Sequence, residues 1–426
     1  MKALAVATQG KGSLQTVRRA RAIGTRYGFG PDRMDERLAT VYKLVEHAGC
    51  QATLPVTAVV VARHPHTIAR YAALGIEFPV HGYLHVDHSA LTLRSQLERL
   101  ARARRLLARS GVVAVGFRAP YLRCHETTRL ALVANGFLYD ASQAVHWPLP
   151  RALESAPYRR ALDFYGAISA DDAPVVPWIE DGLVRLPYVL PDDEAVVDRL
   201  GIGDVERMTD LWLGILRATH ERHELFTLAV HPERIDICGR AVVAVLEAAR
   251  RMSPSVWIAS HEEIARWWRD RTRAQIAISE SGDGRLRVTA RGPRGLTMLA
   301  RGLDIDGAGS ARVGETRVPD NTVELATECR PFIGVHPRAP SALTDFLREQ
   351  GYIVERSPRP RDYGTYLTHE RFARTEGRSL LAQIEAGDRP LLRFGRWPDG
   401  AQCALSVTGD VDALTIRDYA LRALGR

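Results

Sequence analysis

The sequence predicts an α/β protein, a distorted barrel of parallel strands with crossover helices, carrying a small β-rich module. Three observations support this. From 32 to 140, and again from 183 to 271, helical patterns alternate with short apolar strands, the order that parallel strands joined by helices impose. The polar residues His81, Arg118, Asp140 and His231 stand directly after four of those strands, where a barrel carries its functional groups, and core packing gives no reason for them. Around Thr272 the alternation gives way to short runs split by Gly and Asp, the pattern of a small β unit.

Residues 2–8 read as a strand and 13–24 as a basic helix or loop. Asp32 to Ala48 places Leu38, Val41, Leu44 and Val45 at helical spacing and stops at Gly49. A strand from Cys50 to Val56 and a helix through Ala69 and Ala73 to Gly75 follow. Next comes Pro79 to His88; if it begins a helix, His81 and His85 lie one turn apart on one face. Leu93, Leu97, Leu100 and Leu107 mark a helix ending at Ser110-Gly111, then a strand from Val112 to Phe117, a helix to Asn135-Gly136, and a strand from Phe137 to Tyr139 that leads into Asp140. Residues 147–181 are irregular and proline-rich. Strands at Leu183 to Leu186, Leu225 to Val230 and Val256 to Ala259 alternate with helices at Val205 to Arg222, Arg240 to Arg251 and Glu262 to Arg271. The pattern divides into a barrel over 1–272, a β module over 273–335, an α/β connector over 336–395, with a proline-rich linker at 357–364, and a C-terminal strand, acidic turn and helix over 396–426.

Composition narrows the function. A chain of 426 residues has room for two or three compact units, and 46% hydrophobic residues suffice for their cores. The net charge of +8 rests on arginines spread along the chain, which suits an anionic partner or simple solubility. No basic block interleaved with aromatics occurs, so nucleic acid is not an expected partner. The cysteines Cys50, Cys124, Cys238, Cys329 and Cys403 are odd in number and scattered, as reduced thiols of a cytosolic protein would be. The apolar N-terminal run meets Gly and charge within ten residues and no long apolar run follows. The expectation is a cytoplasmic protein without a membrane span. The oligomeric state is not written in these patterns.

Two imidazoles on one face are two thirds of a protein zinc site, with a carboxylate as the third ligand. In order along the chain, His81-Gly82-Tyr83-Leu84-His85, Arg118-Ala119-Pro120-Tyr121, Asp140-Ala141-Ser142 and Leu228-Ala229-Val230-His231-Pro232 resemble the motifs of the polysaccharide deacetylase (NodB homology) family, carbohydrate esterase family four. The resemblance covers about residues 27–270, and Tyr27-Gly28-Phe29-Gly30, Ser260-His261-Glu262 and Trp267-Trp268 are similar to its intracellular, allantoinase-like branch. It implies a NodB-type barrel, His81 and His85 as metal ligands, Arg118 and Asp140 as the groups that orient the catalytic base, Pro120 and Tyr121 at the substrate, and His231 as the catalytic acid. The family opens with a strand bearing two aspartates. Here the first residues hold no carboxylate, while 396–413 resembles that opening segment and carries Asp410-Val411-Asp412. The implied arrangement is a circular permutation, with the C-terminal strand beside the one ending at Val56, Asp412 as third metal ligand and Asp410 as base. Nearby termini tolerate such a rearrangement, and in an extended segment the two aspartates share a face.

The implied function is a hydrolase, dependent on a divalent metal such as zinc, that removes an N-acetyl group from an amino sugar in a glycan or glycan precursor. Its partner is then an N-acetylated saccharide. Other readings stay open: an allantoinase-like amidase on small linear or cyclic amides, a glycosyltransferase using the Asp-x-Asp element, or a non-catalytic glycan-binding barrel. Pro191-Asp192-Asp193-Glu194 either lines the groove or is an ordinary acidic helix start. Asp87 and His88 read as supporting or solvated groups, and His64 and His66 as solvent-facing.

Overall fold

The computed structural model describes residues 24, 26–280, 285–305, 307, 309–312 and 314–425. The strand expected at 2–8 and nearly all of the basic segment 13–24 lie outside the described residues. Helix Asp32–His47 buries Met34, Leu38, Val41 and Val45 in one stripe and packs on helix Ile235–Arg251, where Arg37 pairs with Asp236 at 2.6 Å.

Strand Cys403–Thr408 lies at the centre of the barrel wall. It runs parallel to Ala52–Thr53, Leu225–Ala229 and Val256–Ile258, and all of its residues are buried, as a strand covered on both faces requires. From Thr53 the wall continues through the parallel bridges Thr53–Glu77, Val56–Val80 and Val80–Phe117. It then passes to strands Gly116–Phe117, Tyr139–His146 and Leu183–Leu190, again parallel. It returns to Leu225–Ala229 through one side chain: the Thr227 hydroxyl accepts from the Val189 N–H at 2.8 Å and donates to the Pro187 carbonyl at 3.0 Å. The outcome is a distorted (β/α) barrel with a side-chain seam. At its end the C-terminal strand presses on its neighbour, because a Cβ on Gly409 would stand 1.8 Å from the Val230 carbonyl oxygen. Glycine is the residue that permits this approach.

Beyond Thr272, strands Gln275–Glu280, Leu286–Arg291 and Thr322–Leu325 form an antiparallel sheet. Gly309–Arg312, Glu315–Arg317, Met298–Arg301 and Leu391–Phe394 form a second. Arg330–Val335, Val354–Arg356 and Tyr363–Leu367 form a parallel third, so the proline-rich linker expected at 357–364 runs into a paired strand. Trp397 joins this region to the barrel: it is fully buried, its ring lies 5.5 Å from that of Trp268, and its Nε1 donates to the His223 carbonyl at 3.1 Å.

Two local expectations change. Residues 147–181 contain helix Ala156–Tyr165, capped by the Ser155 hydroxyl and buried at Tyr158 and Ala161, too little apolar surface to show as periodicity. The strand expected at Phe137 to Tyr139 instead begins at Tyr139 and runs to His146, so Asp140 is its second residue and does not follow its end. Among the described residues no helix is long and apolar enough to cross a membrane.

Candidate functional site

Five strand ends converge at one mouth of the barrel. His81 follows Val80, Arg118 follows Phe117, Pro191 to Glu194 follow Leu190, His231 comes two residues after Ala229, and Asp410 two after Thr408.

His81 and His85 do not share a helix. Gly82, at φ +80°, turns the chain, and a Cβ there would meet the Leu84 carbonyl oxygen at 2.8 Å. The loop lends the Gly82 and Tyr83 carbonyls to the Ala58 and Val59 N–H groups, filling the open first turn of helix Ala58–Arg63. A tight loop thus replaces the expected helix, and the imidazole centroids still come within 5.2 Å.

His81 Nδ1 donates to the Arg118 carbonyl at 2.9 Å, which turns its bare Nε2 inward. Nε2 faces Asp412 Oδ1 at 3.5 Å and Asp410 Oδ2 at 3.7 Å, and His85 Nε2 lies 3.4 Å from the same Asp412 oxygen. Ligand-capable atoms of His81, His85 and Asp412 all fall within 4.8 Å of one another, and Asp412 Oδ1 is buried without a hydrogen-bond partner. The bare His81 Nε2 and the partnerless Asp412 Oδ1, aimed at one buried point, repel unless positive charge lies beside them. Two imidazoles and a carboxylate are a donor set that zinc accepts. Arg422 joins the same group: it donates through NH1 to Asp412 Oδ2 at 2.7 Å and through NH2 to His85 Nε2 at 2.9 Å. Burial, then the Arg422 charge, holds the His85 pKa well below its ordinary value. Burial works to raise the Asp412 carboxyl, but Arg422 and the two histidines outweigh it and hold the carboxyl low.

Asp410 is held by Arg118. This fully buried guanidinium donates through NH1 to Asp410 Oδ1 at 2.9 Å, through NH2 to Thr408 Oγ1 at 2.8 Å and through Nε to the Ala141 carbonyl at 3.2 Å, and it lies 4.8 Å above the Tyr188 ring. Asp140 was expected to orient it. Instead the Asp140 carboxylate pairs with Arg185 Nε at 3.1 Å and accepts from the Ser142 hydroxyl. The strand register shifts between Asp140 and Gln143. At this bulge the Ala141 carbonyl meets Arg118, and the Ser142 hydroxyl accepts from the Ala119 N–H at 2.8 Å. The orienting contact therefore comes from the backbone beside Asp140. Burial raises the Asp140 carboxyl, against the opposing pull of Arg185.

His231 faces a different partner. Its Nδ1 is 2.6 Å from Asp193 Oδ1, and its backbone N–H donates to Asp193 Oδ2 at 2.8 Å. Burial disfavours the imidazolium, but the charge and hydrogen bond of Asp193 outweigh it and hold the His231 pKa well above its ordinary value. Asp192 accepts from the Tyr188 hydroxyl at 2.7 Å, and burial with the like charge of Asp193 pushes it up to about 6. Pro120 is buried at the start of a short turn. Tyr121 and Leu122 follow at φ 60° and 56°, a rare conformation for side-chain-bearing residues, and the Tyr121 ring stands edge-on 4.5 Å from His85.

Sequence reasoning missed Arg422, Arg185, Tyr188 and Thr408, and left Asp193 undecided between groove and helix start. Only Asp193 had a signal, an acidic turn after a strand. His88 is buried, and burial pushes its imidazole down to about 4. Asp87 caps the turn at Ser89 and pairs with Arg123 at 2.9 Å.

The family model for polysaccharide deacetylases matches residues 21–139. No curated protein matches the chain. Among solved structures, a protein of Mycobacterium smegmatis described as a polysaccharide deacetylase is 25% identical, with 56% of this chain and 77% of that one covered and a TM-score of 0.43. An allantoinase, Puue, is 20% identical over 55% and 72% of the two chains, with a TM-score of 0.43. A protein of Pseudomonas aeruginosa PAO1 described as a polysaccharide deacetylase is 20% identical over 55% and 72%, with a TM-score of 0.42. The matched segment includes His81, His85, Arg118, Pro120 and Tyr121, so over residues 21–139 the chain is similar to a polysaccharide deacetylase domain.

Proposed function

We propose that the protein is a metal-dependent hydrolase that removes an N-acetyl group from an amino sugar of a glycan or glycan precursor. One observation carries this reading: His81, His85 and Asp412 converge on a buried point beside Asp410, at the same barrel mouth where His231 is hydrogen-bonded to Asp193. A divalent ion, zinc by the donor set, held by those three ligands would supply a water of lowered pKa and polarise the acetyl carbonyl.

The remaining chemistry belongs to the side chains. Arg118 fixes Oδ1 of Asp410, and Oδ2 faces the ligand set, where this carboxylate acts as general base. The amide nitrogen departs only once protonated, and His231, kept charged by Asp193, donates that proton. Tyr121 and Pro120 border the sugar. Asp140 acts indirectly, through the Ser142 hydroxyl and the bulge that seats Arg118. In the same reading residues 396–426 complete the barrel begun in 1–272, and 273–395 form an accessory region. The five free cysteines fit a reducing cytoplasm.

The test is acetate release from a panel of N-acetylated sugars by zinc-loaded protein, with small linear and cyclic amides alongside. Acetate should appear from at least one sugar, vanish on chelation and return with the ion. Turnover of the small amides alone would make the protein an allantoinase-like amidase. Stoichiometric ion with no turnover would make it a binding barrel.

A further inference from the structure

Arg422 has no counterpart among the motifs that define the site, yet it touches two of the three ligand residues. Helix Ile416–Ala423 delivers it. The helix is fixed at its start by the Thr415–Asp418 capping box, and Asp418 pairs with His64 at 2.8 Å and Arg63 at 3.2 Å. Arg422 is therefore aimed into the site by an anchored element. NH2 donates to His85 Nε2, and that bond uses the lone pair a metal would need. NH1 pairs with Asp412 Oδ2, and that pair neutralises the one anionic charge of the ligand set.

We propose that Arg422 sets the ion affinity of this centre by competing with the divalent ion for His85 Nε2 and for the Asp412 charge. This rests on the metal-centred reading above. Two effects oppose one another. Arg422 orients Asp412, and losing an outer hydrogen bond to a ligand typically weakens metal binding by roughly ten- to a hundred-fold. Against that stand the repulsion between a guanidinium and a divalent ion a few ångströms apart in a buried site, and the need to break the bond to His85. Charge repulsion at that range in a medium of reduced polarity is the larger effect. Binding therefore requires the guanidinium to leave His85, and a smaller neutral side chain should admit the ion more readily.

The experiment measures zinc affinity by calorimetry with a competing chelator, on metal-stripped full-length protein. Arg422→Ala should bind zinc at least about tenfold more tightly than the wild type, because the competition outweighs the lost orienting bond. Arg422→Lys keeps the charge and should stay near the wild type. Arg417→Ala, which removes an exposed charge from the same helix, should leave the affinity unchanged. If Arg422→Ala does not fold, Arg422→Met, which keeps most of the stem, decides the question. Zinc bound by the neutral variant alone is the strongest form of the expected result. Wild-type binding with equal or weaker affinity in the neutral variant overturns this inference alone. No zinc binding by any of the proteins overturns it together with the metal-centred reading.

Discussion

Two histidine–carboxylate clusters share the barrel mouth, and both have the composition of a metal site: His81, His85 and Asp412, and Asp192, Asp193 and His231. Their geometry sets them apart. In the first, the imidazole nitrogens stand 3.4 and 3.5 Å from the carboxylate oxygen, and the His81 N–H is turned outward to a backbone carbonyl. In the second, nitrogen and oxygen are 2.6 Å apart and the His231 backbone N–H binds the other oxygen, so a proton is shared along that line. Burial and the Arg422 charge push His85 toward neutrality, while the charge and hydrogen bond of Asp193 overcome burial and push His231 toward charge. Whether an imidazole is suited to hold an ion or to give up a proton depends on where the backbone places its two nitrogens.

The largest expected effect comes from emptying the first cluster. His81→Ala should lose stoichiometric zinc and lower kcat by on the order of 10³-fold or more, since a bound ion contributes several kcal/mol to amide hydrolysis. A variant that keeps its zinc on metal analysis removes His81 from the ligand set. Next in size is His231→Ala. Loss of a general acid lowers kcat by about 10²–10⁴-fold, with zinc content unchanged. If zinc leaves together with activity, the second cluster is a ligand set too and the contrast between the clusters fails.

Asp193→Asn sharpens the contrast without deleting either histidine. Burial disfavours the charged His231, and Asp193 is what overcomes it. With a neutral partner the His231 pKa should fall. The acid is then lost at lower pH, so the alkaline limb of kcat/KM should move downward by about one unit or more, with roughly tenfold lower activity per unit above the new limb. Stability follows the same sign. The raised His231 pKa stabilises the wild-type fold fully below the unfolded value of about 6.5, and this contribution is lost as pH rises through the folded value. The variant should lack that dependence in denaturant titrations. An unmoved alkaline limb would assign it to a group other than His231.

The residues that converge here were legible in the sequence to different degrees, for physical reasons. Helix Val205–Arg222 has the boundaries its pattern implies, because five buried side chains lie on one face behind an Asp204 cap. His81, Arg118 and His231 stood out because polar residues after apolar strands have no packing role, whereas Asp410 and Asp412 stood out through the resemblance of 396–413 to the family's opening segment. Arg422 left no trace: on an amphipathic helix an arginine looks like any solvated charge, and only tertiary placement shows that it points inward. The bulge at Asp140 to Gln143 was equally hidden, since strand Tyr139–His146 is buried almost throughout yet is built from Ala, Ser and Gln. His64 reads as a surface residue from sequence, and its carboxylate partner lies at the other end of the chain.

That partner gives the smallest expected effect, and one that should touch the first cluster alone. Asp418 accepts from the Thr415 hydroxyl at 2.9 Å and from the Leu414 and Thr415 N–H groups at 3.3 and 3.1 Å, besides pairing with His64 and Arg63. Burial works to raise its carboxyl, but the His64 hydrogen bond and charge, with Thr415 and Leu414, hold it down at about 2. A depressed carboxylate stabilises the fold above its unfolded value, and the gain is lost as pH falls through the folded one. Asp418→Asn should therefore lower stability by about 1–3 kcal/mol at neutral pH, and the gap to the wild type should close as pH falls from about 4 towards 2. Because Asp418 seats the helix that carries Arg422, zinc affinity should change in this variant while the alkaline limb set by His231 stays in place. A stability gap that is the same at pH 3 and pH 7 would mean that packing, not the charge of Asp418, anchors the helix.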